Sequence, residues 1–441
     1  MGGTDSTRRQ RPREVAHALL DSVLGDRRAL DEALADSAHF AALSQRDRAL
    51  VRHLTATTLR RLGQIDALLA DFIERPLPVR AASARNALRL GAADILFLRT
   101  PAHAAVNEAV GLLRRPAARR YRGLANAVLR RLAREGAALP EGGDAARLNT
   151  PDWLWRSWVD AYGTDTARAV AEAHLAEPPL DITATSEPGE WARRLEAALL
   201  PTGSLRRAPA RVESLPGFRD GGWWVQDAAA ALPARVLLAG LGAPRVADLC
   251  AAPGGKTAQL AASGTRVTAL DISPARLERL RENLARLRLS AELVEADLLG
   301  WTPAEPFDAV LLDAPCSGTG TIRRHPDIAR NKTADDVARM ASLQRALLDA
   351  AAKAVRLGGR LVYAVCSLQP EEGPAAVAAF LAGAPGFRRR PVGADEVDGI
   401  GPFLTPEGDI RTLPCHLAER GGIDGFYVCR LERRGFGASR A

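Results

Sequence analysis

From Val225 onward the chain repeats one pattern: a short, nearly uninterrupted apolar run of strand length, followed by a stretch whose apolar residues recur at helical spacing. Runs at 245–250, 266–271, 291–296, 307–313 and 359–366 alternate with helical patterns at 256–262, 274–287, 334–355 and 374–381. A strand that is apolar on both faces must be covered on both faces, and the intervening helices supply the cover, so the pattern predicts a parallel sheet between helical layers. Ligands of such sheets bind beyond the carboxyl ends of the strands. Those ends carry Asp248, Asp271, Asp297, Asp313 and Cys366, one polar candidate after each strand.

The first third reads differently. Helical spacing recurs at 13–24, 44–62, 78–98, 101–113 and 121–132, and no segment there alternates as a strand would. Ser44 with Asp47 resembles a capping box with Asp in the Glu position, and Pro78 and Pro101 stand where a first-turn proline would. The expected organisation is a disordered basic tail at 1–11, an all-helical domain at 12–136 and a linker at 137–148 containing Pro140, Gly142 and Gly143. A small mixed α/β segment follows at 149–224, with Trp153, Trp155 and Trp158 on its first helix, and then an α/β Rossmann-like domain at 225–436.

Charge separates the same two regions. The 441 residues carry 60 Lys+Arg against 52 Asp+Glu, and all of these cations except Lys256, Lys332 and Lys353 are arginines. Residues 1–140 hold 24 arginines and 14 acids, so the whole excess is N-terminal and the remainder is slightly acidic. A basic module beside a near-neutral one suggests that the first holds a polyanion and the second does something else. No apolar run reaches the roughly 18 residues of a membrane span. The opening has no apolar signal core, so a soluble, cytoplasmic chain without a membrane partner is expected. The five cysteines, Cys250, Cys316, Cys366, Cys415 and Cys429, are odd in number and none has CxxC spacing, which favours free thiols and excludes a zinc site.

Three constellations carry chemistry. The first, Asp248-Leu-Cys250-Ala251-Ala252-Pro253-Gly254-Gly255-Lys256-Thr257, lies between a strand and a helix. Its two glycines allow a sharp turn and close approach of backbone to a small polar ligand, and the helix behind supplies unpaired amides. A phosphate loop would need glycine at the position of Cys250, and the dinucleotide GxGxxG is also missing, so both phosphate readings fail on spacing. Asp271, at the end of the second strand, suits ribose hydroxyls, because Ser273 before Pro274 already serves as the helix cap. Asp297, after the third strand, could meet an adenine edge, against the simpler role of a turn residue. The second and third constellations are Asp313-Ala-Pro315-Cys316-Ser317-Gly318-Thr319-Gly320 and Tyr363-Ala-Val365-Cys366-Ser367. Two cysteines at the ligand edge of one sheet can meet over a substrate, which invites covalent catalysis. Cys250, Cys415 and Cys429 read as inert small hydrophobes.

At these residues the chain resembles RNA cytosine-5 methyltransferases of the Sun/RsmB type. Ala125-Asn126-Ala127-Val128-Leu129-Arg130 and the helices before it resemble the NusB-like RNA-binding domain that such enzymes carry in front. Residues 248–257, residues 313–320 with Ile322-Arg323-Arg324-His325-Pro326-Asp327, and Cys366-Ser367 are similar to the family's cofactor and catalytic motifs. The family often has Thr before the last cysteine, where this chain has Val365. The resemblance implies a multidomain chain, an all-α NusB-like domain before a Rossmann-like methyltransferase domain, with S-adenosyl-L-methionine as cofactor. It further implies Cys366 as the nucleophile on carbon 6 of cytosine, Cys316 as the residue assisting release, and Asp313 as the group holding the ring-nitrogen edge. The implied cofactor pocket comprises Cys250, Ala251, Ala252, Pro253, Gly254, Gly255 and Lys256 with Asp271, Asp297 and Asp313. The partner implied is RNA, 16S ribosomal RNA first, with tRNA or a non-catalytic RNA-binding role as alternatives; the chain is expected to act as a monomer without metal. Arg114, Arg115, Arg119, Arg120 and Arg122 form one basic cluster suited to phosphates, unless they form only a solvated helix face.

Overall fold

The structure, a computed structural model, describes residues 11–136, 143–242 and 244–434. Most of the expected basic tail, positions 137–142 of the expected linker, and the end of the last expected domain from residue 435 lie outside the described residues. The chain divides into two compact units. Among the described residues, the first unit runs to Leu175 and includes Ile322–Lys332; the second comprises Ala176–Thr321 and the residues from Thr333.

The first unit is helical throughout. Helices Pro12–Gly25, Gln45–Arg60, Ala82–Leu96, Ala102–Leu112 and Arg122–Glu135 stand where the apolar spacing places them. The single helix expected at 44–62 stops at Arg60, and Leu62–Ala70 begins a new one. Ser44 caps the first of these by accepting the Asp47 amide at 3.2 Å, while the Ser44 hydroxyl donates to Asp47 Oδ2 at 2.7 Å. Leu20, Leu54, Leu88, Val106 and Leu129 fill the core. Gly91 lets three helices close there, since a Cβ would come within 2.6 Å of Leu129 Cδ1 and 2.8 Å of Ala109 Cβ. Helices Asp152–Tyr162 and Thr164–Ala173 belong to this unit, and the Trp158 ring centroid lies 5.4 Å from that of His174. The segment Ile322–Lys332 is tied in by polar contacts: Leu30 N–H donates to Asp327 Oδ2 at 3.1 Å, and Arg330 Nη2 to the Asn149 carbonyl at 2.8 Å.

The second unit holds two sheets. Strands β1 (Leu180–Ala184), β2 (Ala198–Leu199), β3 (Leu205–Arg207) and β4 (Trp223–Val225) form a small antiparallel sheet in the order β2-β3-β1-β4. Asp181 on β1 and Arg206 on β3 make a buried two-point ion pair at 2.6 and 2.7 Å, and Arg206 Nη1 also reaches the Gly422 carbonyl at 2.6 Å. The large sheet contains β5 (Arg245–Leu249), β6 (Arg266–Asp271), β7 (Glu292–Glu295), β8 (Phe307–Asp313), β9 (Val355–Val365), β10 (Phe387–Arg389), β11 (Ile410–Thr412) and β12 (Phe426–Arg433). Its order is β10-β12-β9-β8-β5-β6-β7, with β11 beside β12.

Strands β7, β6, β5, β8 and β9 are parallel, as the strand–helix alternation requires, but β12 runs antiparallel beside β9 and pairs with β10 and β11. The sheet is therefore mixed, which corrects the expectation of a parallel one. The antiparallel strand needs no crossover helix, so the alternation gave no sign of it. Strand order reverses direction at β5, which places the ligand crevice at the carboxyl ends of β5 and β8.

A backbone knot fixes the loop after β8. Ala314 N–H donates to the Ala364 carbonyl at 3.0 Å, Gly320 N–H to the Cys366 carbonyl at 3.0 Å, and Gly425 N–H to the Gly320 carbonyl at 2.8 Å. A Cβ at Gly320 would stand 1.9 Å from the Gly425 carbonyl oxygen, which is backbone and cannot swing aside. Gly320→Ala is expected to lower the unfolding free energy by ~1–3 kcal/mol. Chemical denaturation checks this, and an unchanged midpoint at unchanged slope would contradict the tight approach.

Candidate active site

The turn between β5 and helix Gly255–Ala262 is built by left-handed backbone. Cys250 has φ 60° and Gly254 φ 102°, and a Cβ at Gly254 would meet Leu280 Cγ at 2.8 Å, so glycine is required there on both counts. Ala251 and Ala252 are buried beneath the turn and Pro253 is exposed. Asp248, at the end of β5, is fully buried; its Oδ2 accepts the Thr257 hydroxyl at 2.6 Å and its Oδ1 has no partner. Burial outweighs the Thr257 bond and pushes the Asp248 carboxyl up to about 7. Burial likewise pushes the Cys250 thiol up to about 12.

Asp271 ends β6 almost without exposure. It accepts the Ala252 amide at 3.1 Å and the Ser273 amide at 3.0 Å, and Arg276 Nη1 stands 3.6 Å away. It thereby ties the strand end to the turn after β5. Ser273 is the cap of helix Pro274–Leu287, accepting the Arg276 amide, as its place before Pro274 predicts. Asp297 is exposed, and its Oδ1 accepts the Leu299 amide at 3.0 Å in the manner of a turn residue.

The geometry is tightest between β8 and β9. The register pairs Asp313 with Ala364, so the loops that leave these neighbouring strands start side by side. Cys316 Sγ and Cys366 Sγ lie 3.4 Å apart. The contact with Cys366, then burial and the nearby Glu372 carboxylate, raise the Cys316 thiol well above the usual thiol range. Asp313 Oδ2 accepts Lys256 Nζ at 2.6 Å, which joins the end of β8 to the helix after β5. Burial works against the charge on Lys256, but Asp313 overcomes it and the ammonium is held more strongly than usual. Lys256 Nζ also stands 5.2 Å from the Phe426 ring centroid. Cys250–Lys256, Asp271, Asp313, Cys316 and Cys366 thus all belong to the turns leaving β5, β6, β8 and β9. Cys415 is half-buried, and Cys429 is buried in the core.

Sequence reasoning missed the polar floor beneath the thiols. Ser317, Thr319, Ser367, Gln344 and Glu372 are all buried there and joined by hydrogen bonds. Glu372 lies in Gln369-Pro-Glu-Glu-Gly373, a composition that reads as an exposed turn. The one available hint was that each of the two cysteines is followed by serine.

A sheet with this order, a glycine turn after its first parallel strand and an acid after the second define the Rossmann-like fold of S-adenosylmethionine-dependent methyltransferases. Residues 236–432 match the 16S rRNA methyltransferase RsmB/F family, and residues 10–134 match the NusB family. Ribosomal RNA small subunit methyltransferase B of Pseudomonas putida is 37% identical over 95% of this chain and 98% of its own length. The protein of the same name from Vibrio cholerae is 36% identical over 88% of this chain and 90% of its own. Among solved structures, PH0851 superposes with a TM-score of 0.75 at 22% identity, over 96% of this chain and 99% of that one, which shows a shared fold. A methyltransferase homolog from Pyrococcus horikoshii gives 0.52 at 26% identity, over 66% and 96%. The chain belongs to the RsmB/F family of RNA methyltransferases, with a NusB-type helical domain in front, and its cofactor is S-adenosylmethionine. The site fits that cofactor: at the end of β5, beside the glycine turn, Asp248 Oδ1 is a buried acceptor without partner.

The Asp248 shift gives a pH signature. Its carboxyl binds its proton more tightly folded than unfolded, so the stability it contributes is full below about pH 4 and is lost as pH rises towards about 7. Asp248→Asn removes this loss. The unfolding free energy of the variant relative to the wild type is expected to rise across that window, at up to roughly 1.4 kcal/mol per pH unit. Urea melts at pH 5 and 7.5 measure it; a difference that does not change with pH would show that Asp248 titrates normally.

Proposed function

We propose that this chain transfers a methyl group to carbon 5 of a cytosine in 16S ribosomal RNA, through a transient bond between Cys366 and carbon 6 of the base. The observation that carries the reading is the apposition of the two thiols at 3.4 Å on the ligand edge of a methyltransferase sheet. Carbon 5 of cytosine is a poor nucleophile. Attack of the Cys366 thiolate on carbon 6 forms an S–C bond and moves the ring's electron pair towards carbon 5, which can then accept a methyl group. S-adenosylmethionine, when bound, supplies that group from its sulfonium. Asp313 faces the ring-nitrogen edge with the oxygen that Lys256 leaves free and stabilises the charge gained there during addition. The carbon 5 proton is then lost to solvent, its bonding pair reforms the ring double bond, and the S–C bond breaks with its electron pair returning to the Cys366 sulfur as thiolate.

The assignment of roles between the thiols is supported by their surroundings. Cys316 is held protonated by Cys366, burial and Glu372, which suits the residue that assists release rather than the one that attacks. Cys250 through Lys256, with Asp271, Asp297 and Asp313, form the cofactor pocket in this reading. The base must be unstacked to expose carbon 6, which favours a loop or single-stranded cytosine. The helical residues 12–136 hold the surrounding RNA, and the acting form is a single cytoplasmic chain. No helix among the described residues is long and apolar enough to cross a membrane, and no group of three or more His, Cys, Asp or Glu side chains is placed to hold a metal there.

Cys366→Ala is expected to abolish methyl transfer while leaving cofactor affinity within about twofold, and Cys316→Ala to accumulate an RNA–protein adduct that survives denaturing gels. Retained activity in the first variant, or no adduct in the second, would reverse these roles. Arg115, Arg119 and Arg122 are exposed on the helical domain. Changing them together to Gln is expected to weaken RNA binding and flatten its salt dependence, by roughly 0.7 in the log–log slope for each phosphate that is no longer neutralised. Titrations at several salt concentrations check this, and an unaltered slope would remove the cluster from the RNA surface.

A further inference from the structure

Beneath the two thiols lies a carboxylate that the reaction as derived does not use. Glu372 is completely buried, and its two oxygens accept four hydrogen bonds. Oε1 takes the Ser317 amide at 2.7 Å and Gln344 Nε2 at 3.2 Å; Oε2 takes the Ser317 hydroxyl at 2.5 Å and the Ser367 hydroxyl. This uses every acceptor position of a carboxylate. Ser317 follows Cys316 and Ser367 follows Cys366, so one side chain grips the residue beside each thiol.

The grip is reinforced on every side. Ser317 Oγ and Ser367 Oγ lie 3.2 Å apart, and Thr319 Oγ1 lies 3.2 Å from Ser367 Oγ while accepting the Leu368 amide at 3.0 Å. Gln344 Nε2 also donates to the Pro315 carbonyl at 2.9 Å, which fixes the residue before Cys316. Glu372 is itself anchored through its backbone, its carbonyl accepting the Tyr363 hydroxyl at 2.6 Å from β9.

We propose that Glu372 is the positioning residue of the site, a buried carboxylate clamp that holds the Cys316 and Cys366 loops at one spacing through Ser317 and Ser367. It touches neither base nor cofactor. A buried carboxylate is expensive unless fully satisfied, and here its donors come from both thiol loops, so the arrangement that satisfies it is the one that brings the thiols together. An uncharged apolar floor would fill the same volume without specifying that arrangement. Its negative charge is also one of the causes that keep Cys316 protonated, so the clamp acts on the state of that thiol as well as on its place.

The inference rests on the covalent reading for its effect on catalysis, but the spacing it controls can be read without any turnover. Dibromobimane, which becomes fluorescent when it bridges two nearby thiols, is applied to the full chain in the wild type, Glu372→Ala, Glu372→Gln and Glu372→Asp. Single-thiol alkylation by iodoacetamide, followed by mass spectrometry of the Cys316 and Cys366 peptides, is run in parallel. In Glu372→Ala the bridging rate is expected to fall at least tenfold with each thiol still open to single alkylation, and kcat about a hundredfold with KM for RNA within about twofold. Glu372→Asp should recover part of both. Glu372→Gln keeps the size of the side chain and an accepting oxygen, and covers the case in which the alanine variant does not fold. It should bridge at an intermediate rate and shift the pH midpoint of Cys316 alkylation downward, because the charge is gone; a purely structural part would leave that midpoint where it was. Wild-type bridging in both Glu372→Ala and Glu372→Gln, or an unmoved Cys316 midpoint in Glu372→Gln, overturns the clamp. Activity persisting in Cys366→Ala overturns the covalent reading instead and leaves the bridging result standing.

Discussion

The site depends on two parallel strands, β8 and β9, leaving the sheet side by side. Parallel neighbours deliver their following loops to the same edge, so residues 316 and 366, far apart in sequence, begin within one strand spacing of each other. Backbone hydrogen bonds then carry the alignment past the strand ends. The Ala314 amide bonds the Ala364 carbonyl, the Gly320 amide bonds the Cys366 carbonyl, and the close approach of Gly320 to Gly425 ties the same loop to the lead-in of β12. Antiparallel β12 thus has a purpose that a wholly parallel sheet could not serve. It closes β9 on its far side and brings its own preceding loop under the thiols.

Charge is arranged around Lys256. Its ammonium is nearly inaccessible to water and burial works against its charge, yet Asp313 at 2.6 Å outweighs burial and the proton is held more strongly than usual. The pair sets Asp313 in one orientation at the end of β8. Asp248 at the end of β5 is governed by its burial and keeps its proton up to about pH 7.

Much of this was legible in the sequence because it follows from local pattern. Unbroken apolar runs marked β5, β6, β8 and the end of β9, Ser273-Pro274 marked a helix start, and Gly254-Gly255 marked the turn. What escaped reading was set by contacts distant in the chain. β12 carries no crossover helix to announce it. Residues 322–327 read as a continuation of the Cys316 motif, but their backbone is bound among the helices, with Leu30 capping onto Asp327 and Arg60 donating to the Arg323 carbonyl at 3.0 Å. Burial of a polar side chain such as Glu372 leaves no periodic trace, because what makes burial tolerable is the donors that meet it, and they come from residues 317, 344 and 367.

That kind of invisibility has a physical reason that bears on how the two thiols differ. Both cysteines are followed by serine, both lie at the end of a parallel strand, and local sequence treats them alike. What the surroundings add is seen at Cys316: its thiol partner, burial and the Glu372 carboxylate raise that thiol well above the usual thiol range. In the covalent reading, a nucleophile that acts as thiolate and a partner that keeps its proton must differ in charge only 3.4 Å apart. In water such a difference would be screened to about 1 kcal/mol over that distance. Burial screens it less, and the polar groups beneath the thiols are sealed from solvent and hydrogen-bonded to one another.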